Sequence, residues 1–235
     1  MSNYFSKFNQ FFRNKIFKPY SLRYEKQRNE LFYKYLKPNP NDKILDLGGN
    51  DGRRMASLFP EKGKDIYIAD ISTEGLEAAK TNYGYTTILI NESGVLPFGD
   101  NYFDIVFCNS VIEHVTTDKA DIYDNVTNRE FKEKSLRRQR LFADEIRRVG
   151  KKYFVQTPNK HFIIESHTWF PSLYVYFPRS VQIKTIQLLS KFWVKKSAPD
   201  FNLLTVSDMK SMFPEAIIIR EKSLFMTKSI IAIKS

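Results

Sequence analysis

The chain has 235 residues, 42% hydrophobic, 27% charged and 15% aromatic, a globular composition that at roughly 150 residues per domain means one domain with room for insertions. The single cysteine, Cys108, excludes an internal disulfide framework and multi-cysteine metal sites. No apolar run is long enough to span a bilayer, charges interrupt the N-terminus before a signal-peptide core can develop, and a net charge of +11 favours anionic partners.

In chain order, 43–47 reads as a buried strand, followed by a glycine-rich turn and a helix over 53–59. A second strand, 65–69, ends at Asp70, and a helix over 73–81 starts from a cap at Ser72 or Thr73. Further strands are expected at 85–90, 103–108 and 153–157, the last closed by Pro158, with a strongly charged helical stretch over 118–148 before it. A helix over 206–213 and strands at 216–219 and 229–233 complete the pattern. Strands alternating with helices imply right-handed crossovers and a parallel sheet covered on both faces. The last two strands are too close in sequence for a crossover, so they form an antiparallel hairpin.

The first strand leads into Asp46-Leu47-Gly48-Gly49-Asn50-Asp51-Gly52, at the sheet edge where ligands bind in open α/β folds. Asp70 ends the next strand, where a carboxylate can accept both hydroxyls of a ribose. Glu92 precedes Leu96-Pro97-Phe98, and Asp100-Asn101-Tyr102-Phe103-Asp104 leads into strand four. The glycine spacing does not match the pyrophosphate-binding G-x-G-x-x-G, which argues against a nicotinamide cofactor.

In combination these motifs resemble the class I S-adenosylmethionine-dependent methyltransferases, in the group that includes ubiquinone-pathway and glycan-modifying O-methyltransferases. The resemblance implies a Rossmann-like α/β fold, with a seven-stranded mostly parallel sheet, a C-terminal antiparallel hairpin and helices on both faces. It implies that Asp46, Gly48 and Gly52 hold the methionine moiety, Asp70 the ribose, and Glu92 with Ser93 the adenine. Gly49, Asn50, Ile71 and Asn109 complete the expected cofactor contacts. Asn50 replaces the family's middle glycine, and asparagine tolerates the left-handed conformation best after glycine.

The acceptor side is less determined. Glu113-His114 follows strand four, where relatives carry the same pair and some use it to ligate a divalent metal. Ser110 stands here in place of a further carboxylate, so a metal site would need Glu113 and His114 with a ligand from elsewhere, such as His161 or His167, and it is the less favoured reading. The segment after strand five carries Glu165 and His167 on alternate positions of an extended chain. His167 oriented by Glu165 is the first choice for a general base, with His114 and Glu113 the second.

Residues 1–40 carry nine Lys/Arg against Glu25 and Glu30, and 166–199 carries five cations and no acid. Aromatic residues interleave with these charges along Tyr4–Ile16 and across 172–196. Such segments suit a lid, an anionic membrane surface or single-stranded RNA. The expected organisation is a basic amphipathic helical flank at 1–40 and a methyltransferase domain at 41–235, with a helical insert at 118–150 and a lid insert at 160–200. The function expected is O-methylation of a small molecule or a lipid-linked glycan, in the cytoplasm or at the inner face of a membrane. RNA methylation is the alternative, and a non-catalytic binding module the third reading.

Overall fold

In the computed structural model, residue 15 and residues 18–60, 65–92, 94–118, 121–123, 127–164, 167–192 and 197–235 are described. Seven strands form one sheet: β1 (Ile44–Leu47), β2 (Ile66–Asp70), β3 (Thr86–Leu89), β4 (Phe103–Asn109), β5 (Gly150–Pro158), β6 (Ile217–Ser223) and β7 (Met226–Lys234). Their order is β3-β2-β1-β4-β5-β7-β6. The first five strands run parallel, and β7 pairs antiparallel with both β5 and β6. This is the Rossmann-like sheet with a terminal hairpin that the sequence implies. The order reverses direction between β1 and β4, which opens a crevice at the carboxyl ends of those strands.

Alternation along the strands divides the core in two. On one face Leu45, Leu47, Val106, Cys108 and Val155 meet Phe142, Ile146 and Val149 of α4 (Asn128–Val149) and Met209 and Met212 of α6 (Val206–Met212). On the other, Ile44, Ile66, Ile105, Phe107 and Phe154 meet α2 (Arg53–Leu58), α3 (Thr73–Tyr83) and α1 (Lys18–Leu36). Phe32 and Leu36 of α1 have no exposed surface and share that cluster, so this part of the basic N-terminal flank is core. The aromatic positions from Tyr4 to Phe12, and Ile16, lie outside the described residues.

Helix ends follow their local chemistry. Ser72 caps α3 by accepting from the Gly75 amide, and Thr127 with Glu130 forms a reciprocal capping box on α4. β5 begins at Gly150, earlier than expected, because glycine lets the strand approach β4 closely: a Cβ there would lie 2.6 Å from Val106 Cγ2. Phe170, Tyr174, Val175 and Ile186 of the 160–200 insert pack with Phe201 and Leu203 into a separate cluster. The insert includes α5 (Arg179–Phe192). Among the described residues no helix is long and apolar enough to cross a membrane.

Candidate functional site

The turn after β1 is shaped by groups that leave no space for side chains. Gly48 has φ +79°, and a Cβ on it would lie 2.4 Å from Val111 Cγ2. A Cβ on Gly49 would lie 2.5 Å from Asp46 Oδ2. Asn50 takes φ 45°, the left-handed conformation expected of it. Asp70 organises the turn from β2: one carboxylate oxygen accepts from the Asn50 amide at 2.9 Å, the other from the Ser72 amide at 2.9 Å. Two acceptor positions of the carboxylate remain for a ligand. Beneath the turn Asp46 is buried, and its Oδ2 has no hydrogen-bond partner among the described residues. Burial pushes its carboxyl up to about 7, against the pull of Arg54 and with a contribution from Asp70.

Two cavities meet above this edge. The first, about 270 Å³, is bounded by Gly48, Asn50, Asp70, Ile71, Glu92 and Phe142, among others. The second, about 500 Å³, has a largely apolar wall that includes Tyr20, Phe162, Ile164, Trp169 and Leu224, with Arg28 and Lys228 as cations. Ser110 and His114 line both. Ser110 is held at φ 57°, its hydroxyl bonded to the Gln156 side chain at 2.8 Å. Strained backbone of this kind persists where surrounding structure enforces it, often at functional sites.

The histidines sort themselves at this junction. His114 Nδ1 lies 3.2 Å from Asp200 Oδ1. Burial would raise the Asp200 carboxyl, but hydrogen bonding, foremost from His114, helps to outweigh it and the group lies below its usual range. His167 stacks on Phe201 at 4.5 Å and meets the His114 ring edge-on at 4.6 Å. Its Nε2 is 3.6 Å from Oε1 of the fully buried Glu113, whose other oxygen accepts from Thr157 Oγ1 at 2.9 Å.

The expected site residues therefore divide. Gly48, Asn50, Asp70, Ile71 and Glu92 line the first cavity, whereas Asp46, Gly49 and Gly52 support the turn from behind. Asn109 does not line it: its side-chain oxygen faces Arg28 Nη1 at 3.4 Å. Ser93 and Glu165 lie outside the described residues. Of the two histidines offered as a further metal ligand, His161 is the one corrected: its Nδ1 bonds the Tyr176 hydroxyl at 3.0 Å, and it is not in the group with Glu113 and His114. The group whose ligand atoms lie within 4.8 Å of one another, and which could hold a metal ion, is Glu113, His114 and His167. Asp200 and the α1 residues Tyr20 and Arg28 were not legible as site residues. None sits in a motif, and each reaches the site only through the fold.

Residues 45–152 match the family described as "Methyltransferase domain". Over 90 residues the chain is 34% identical to the ubiquinone/menaquinone biosynthesis C-methyltransferase UbiE of Shewanella sp. (strain ANA-3), covering 34% of this chain and 36% of that enzyme. The chain thus spans about a third of the length of the curated relatives it matches. Among solved structures, the PH0226 protein of Pyrococcus horikoshii OT3 superposes with a TM-score of 0.52 at 17% identity, covering 91% of this chain and 89% of that one. A SAM-dependent methyltransferase of Methanosarcina mazei gives 0.51 at 15% identity, covering 87% and 96%. At these identities the structural likeness speaks to the fold.

Proposed function

We propose that the chain is a class I S-adenosylmethionine-dependent methyltransferase and that it methylates a hydroxyl oxygen of an amphiphilic small molecule or lipid-linked glycan. The observation that carries this reading is that the two cavities meet at Ser110 and His114. The glycine turn suits close approach of the methionine end, Asp70 suits the ribose hydroxyls, and Ile71 with Glu92 suits the adenine. When bound, the cofactor supplies an electrophilic methyl group. His114, with Nδ1 on Asp200, has Nε2 left to take the hydroxyl proton as the oxygen is alkylated. The second cavity falls within the ~300–1,000 Å³ of small-molecule sites, and its apolar wall favours such an acceptor over a polynucleotide.

A test is to incubate the protein with cofactor carrying a carbon-13 methyl group and with small-molecule, lipid and RNA extracts. Transfer to oxygen places the methyl resonance in the methoxy region. Transfer to carbon would favour the chemistry named for the Shewanella relatives, and label in RNA alone would favour the nucleic-acid reading; either would overturn this proposal.

Asp46 gives a second expected result. A carboxyl raised to about 7 in the fold is protonated where its unfolded counterpart is ionised, so stability of the ligand-free protein falls as pH rises from the ordinary carboxylate range to about 7. A cationic ligand placed over the turn reverses that preference. Titration of S-adenosylmethionine near pH 6.5, in buffers of different ionisation enthalpy, should show proton release of up to about one per site. Asp46→Asn should abolish the release; an unchanged value would disconnect Asp46 from the ligand.

The membrane partner rests on the hairpin tip. Leu224 and Phe225 form the two-residue turn between β6 and β7, both left-handed at φ 48° and 64°, and Phe225 is 101% exposed. Such turns favour Asn-Gly, and bulky residues there cost on the order of 1–2 kcal/mol each. Exposed Tyr20 bonds Ser223 beside the tip and Lys222 next to it is exposed, while Glu221 is buried against Arg28. Leu224 also lines the second cavity, so an anionic bilayer touching the tip would meet its mouth. Replacing Leu224-Phe225 with Asn-Gly should raise Tm, by roughly 2–4 °C per kcal/mol of strain relieved, yet reduce co-sedimentation with phosphatidylserine vesicles. Equal vesicle binding by both proteins would remove the tip from any membrane contact.

A further inference from the structure

A third cavity, about 190 Å³, is lined by Phe201, on whose ring His167 stacks, and by Leu203, which also lines the second cavity. Its lining includes Lys132, Lys160 and Arg179 and no carboxylate. It opens at the first residues of two long helices, Asn128 of α4 and Arg179 of α5, whose dipoles add positive potential. Arg179 is 4% exposed and seated 3.8 Å over the Phe131 ring. Its Nη2 donates to the Ile122 and Pro199 carbonyls, but its buried Nε has no partner among the described residues. None of the three cations is in an ion pair with a described residue.

A buried guanidinium with an unpartnered Nε is costly, and fixed positive charges lining one concavity raise the local concentration of anions. The cost registers on two of the groups. Burial pushes Arg179 down to about 10 against the opposing charge of Asp200, and burial together with the neighbouring charge of Lys132 lowers Lys160 against the opposing charge of Asp208. At about 190 Å³ this cavity is smaller than either cavity of the site above, which suits a single small anionic group.

We propose that this cavity is a recognition site for a phosphate-type dianion, held by Lys132, Lys160 and Arg179. Two sources share that chemistry. A phosphoryl group on the methyl acceptor could reach it past Leu203, which lines both cavities; free inorganic phosphate could occupy it as an effector. The first source rests on the methyl-transfer reading above, whereas the anion site does not.

The test begins without any acceptor. Inorganic phosphate is titrated calorimetrically into the full chain at constant ionic strength against a chloride control, with wild type, Lys132→Glu and Lys160→Glu compared. Both lysines lie at the cavity edge, so folding is checked by an unchanged Tm and S-adenosylmethionine affinity. Saturable binding by the wild type, weakened about tenfold or more in each variant, is expected. Absence of saturation, or affinities indifferent to both charge reversals, would mean an adventitious ion only and would overturn the proposal. A second arm assigns the source: small-molecule extracts, before and after phosphatase treatment, are offered with labelled cofactor. Loss of methyl incorporation on phosphatase treatment, with competition by inorganic phosphate, supports the acceptor's own phosphoryl group. Incorporation that survives phosphatase and changes with added phosphate supports the effector. If no extract is methylated, the calorimetric arm still decides the anion site, so failure of the two readings is distinguishable.

Discussion

Asp70→Ala is expected to weaken S-adenosylmethionine binding by about a hundredfold or more, because two charge-assisted hydrogen bonds to ribose hydroxyls are lost at once. The same change frees the Asn50 and Ser72 amides, each now 2.9 Å from a carboxylate oxygen, so the glycine turn loosens as well. Asp70→Asn separates the two roles: it keeps one acceptor oxygen and the side-chain shape but removes the charge. It should fall between wild type and alanine. Gly48→Val should match the alanine variant through a different cause, since its first side-chain carbon would meet Val111 at 2.4 Å in a backbone conformation that valine avoids. Calorimetric titration of all three, with the demethylated product as a second ligand, measures this. Wild-type affinity in Asp70→Ala would show that the first cavity is not the cofactor's.

How far the sequence carries depends on how local each determinant is. The turn at Gly48–Gly52, the cap at Ser72 and the alternation in β1 and β4 are local, and they are read directly. Edge-strand lengths are not: β6 continues through Arg220, Glu221 and Lys222, a charged run that reads as loop until Glu221 is seen paired with Arg28 of α1. The acceptor site is the extreme case. Asp200 lies in a stretch without periodicity and meets His114 only through the fold. Glu165 and His167 suggest a pair by spacing alone, yet the described carboxylate facing His167 is Glu113, brought there by a short turn after β4.

The same topology decides which histidine has the larger kinetic effect. His114 lines both cavities and its Nδ1 is engaged by Asp200, an arrangement that fixes the ring and leaves Nε2 as the basic atom. His167 lines the acceptor cavity alone and is held by stacking on Phe201. His114→Ala should therefore lower kcat by about 10²–10⁴, the range lost with a general base, while the cofactor Kd changes far less. Asp200→Asn should lower kcat by a smaller factor, because the imidazole remains but its orientation and charge partner are weakened. His167→Ala should act mainly on KM. The alternative built from the same atoms is a metal held by Glu113, His114 and His167. It gives a different pattern: chelation abolishes transfer, added divalent metal restores it, and both histidine variants fall together. Activity that persists in chelator and collapses in His114→Ala alone identifies the base; activity retained in His114→Ala sinks it.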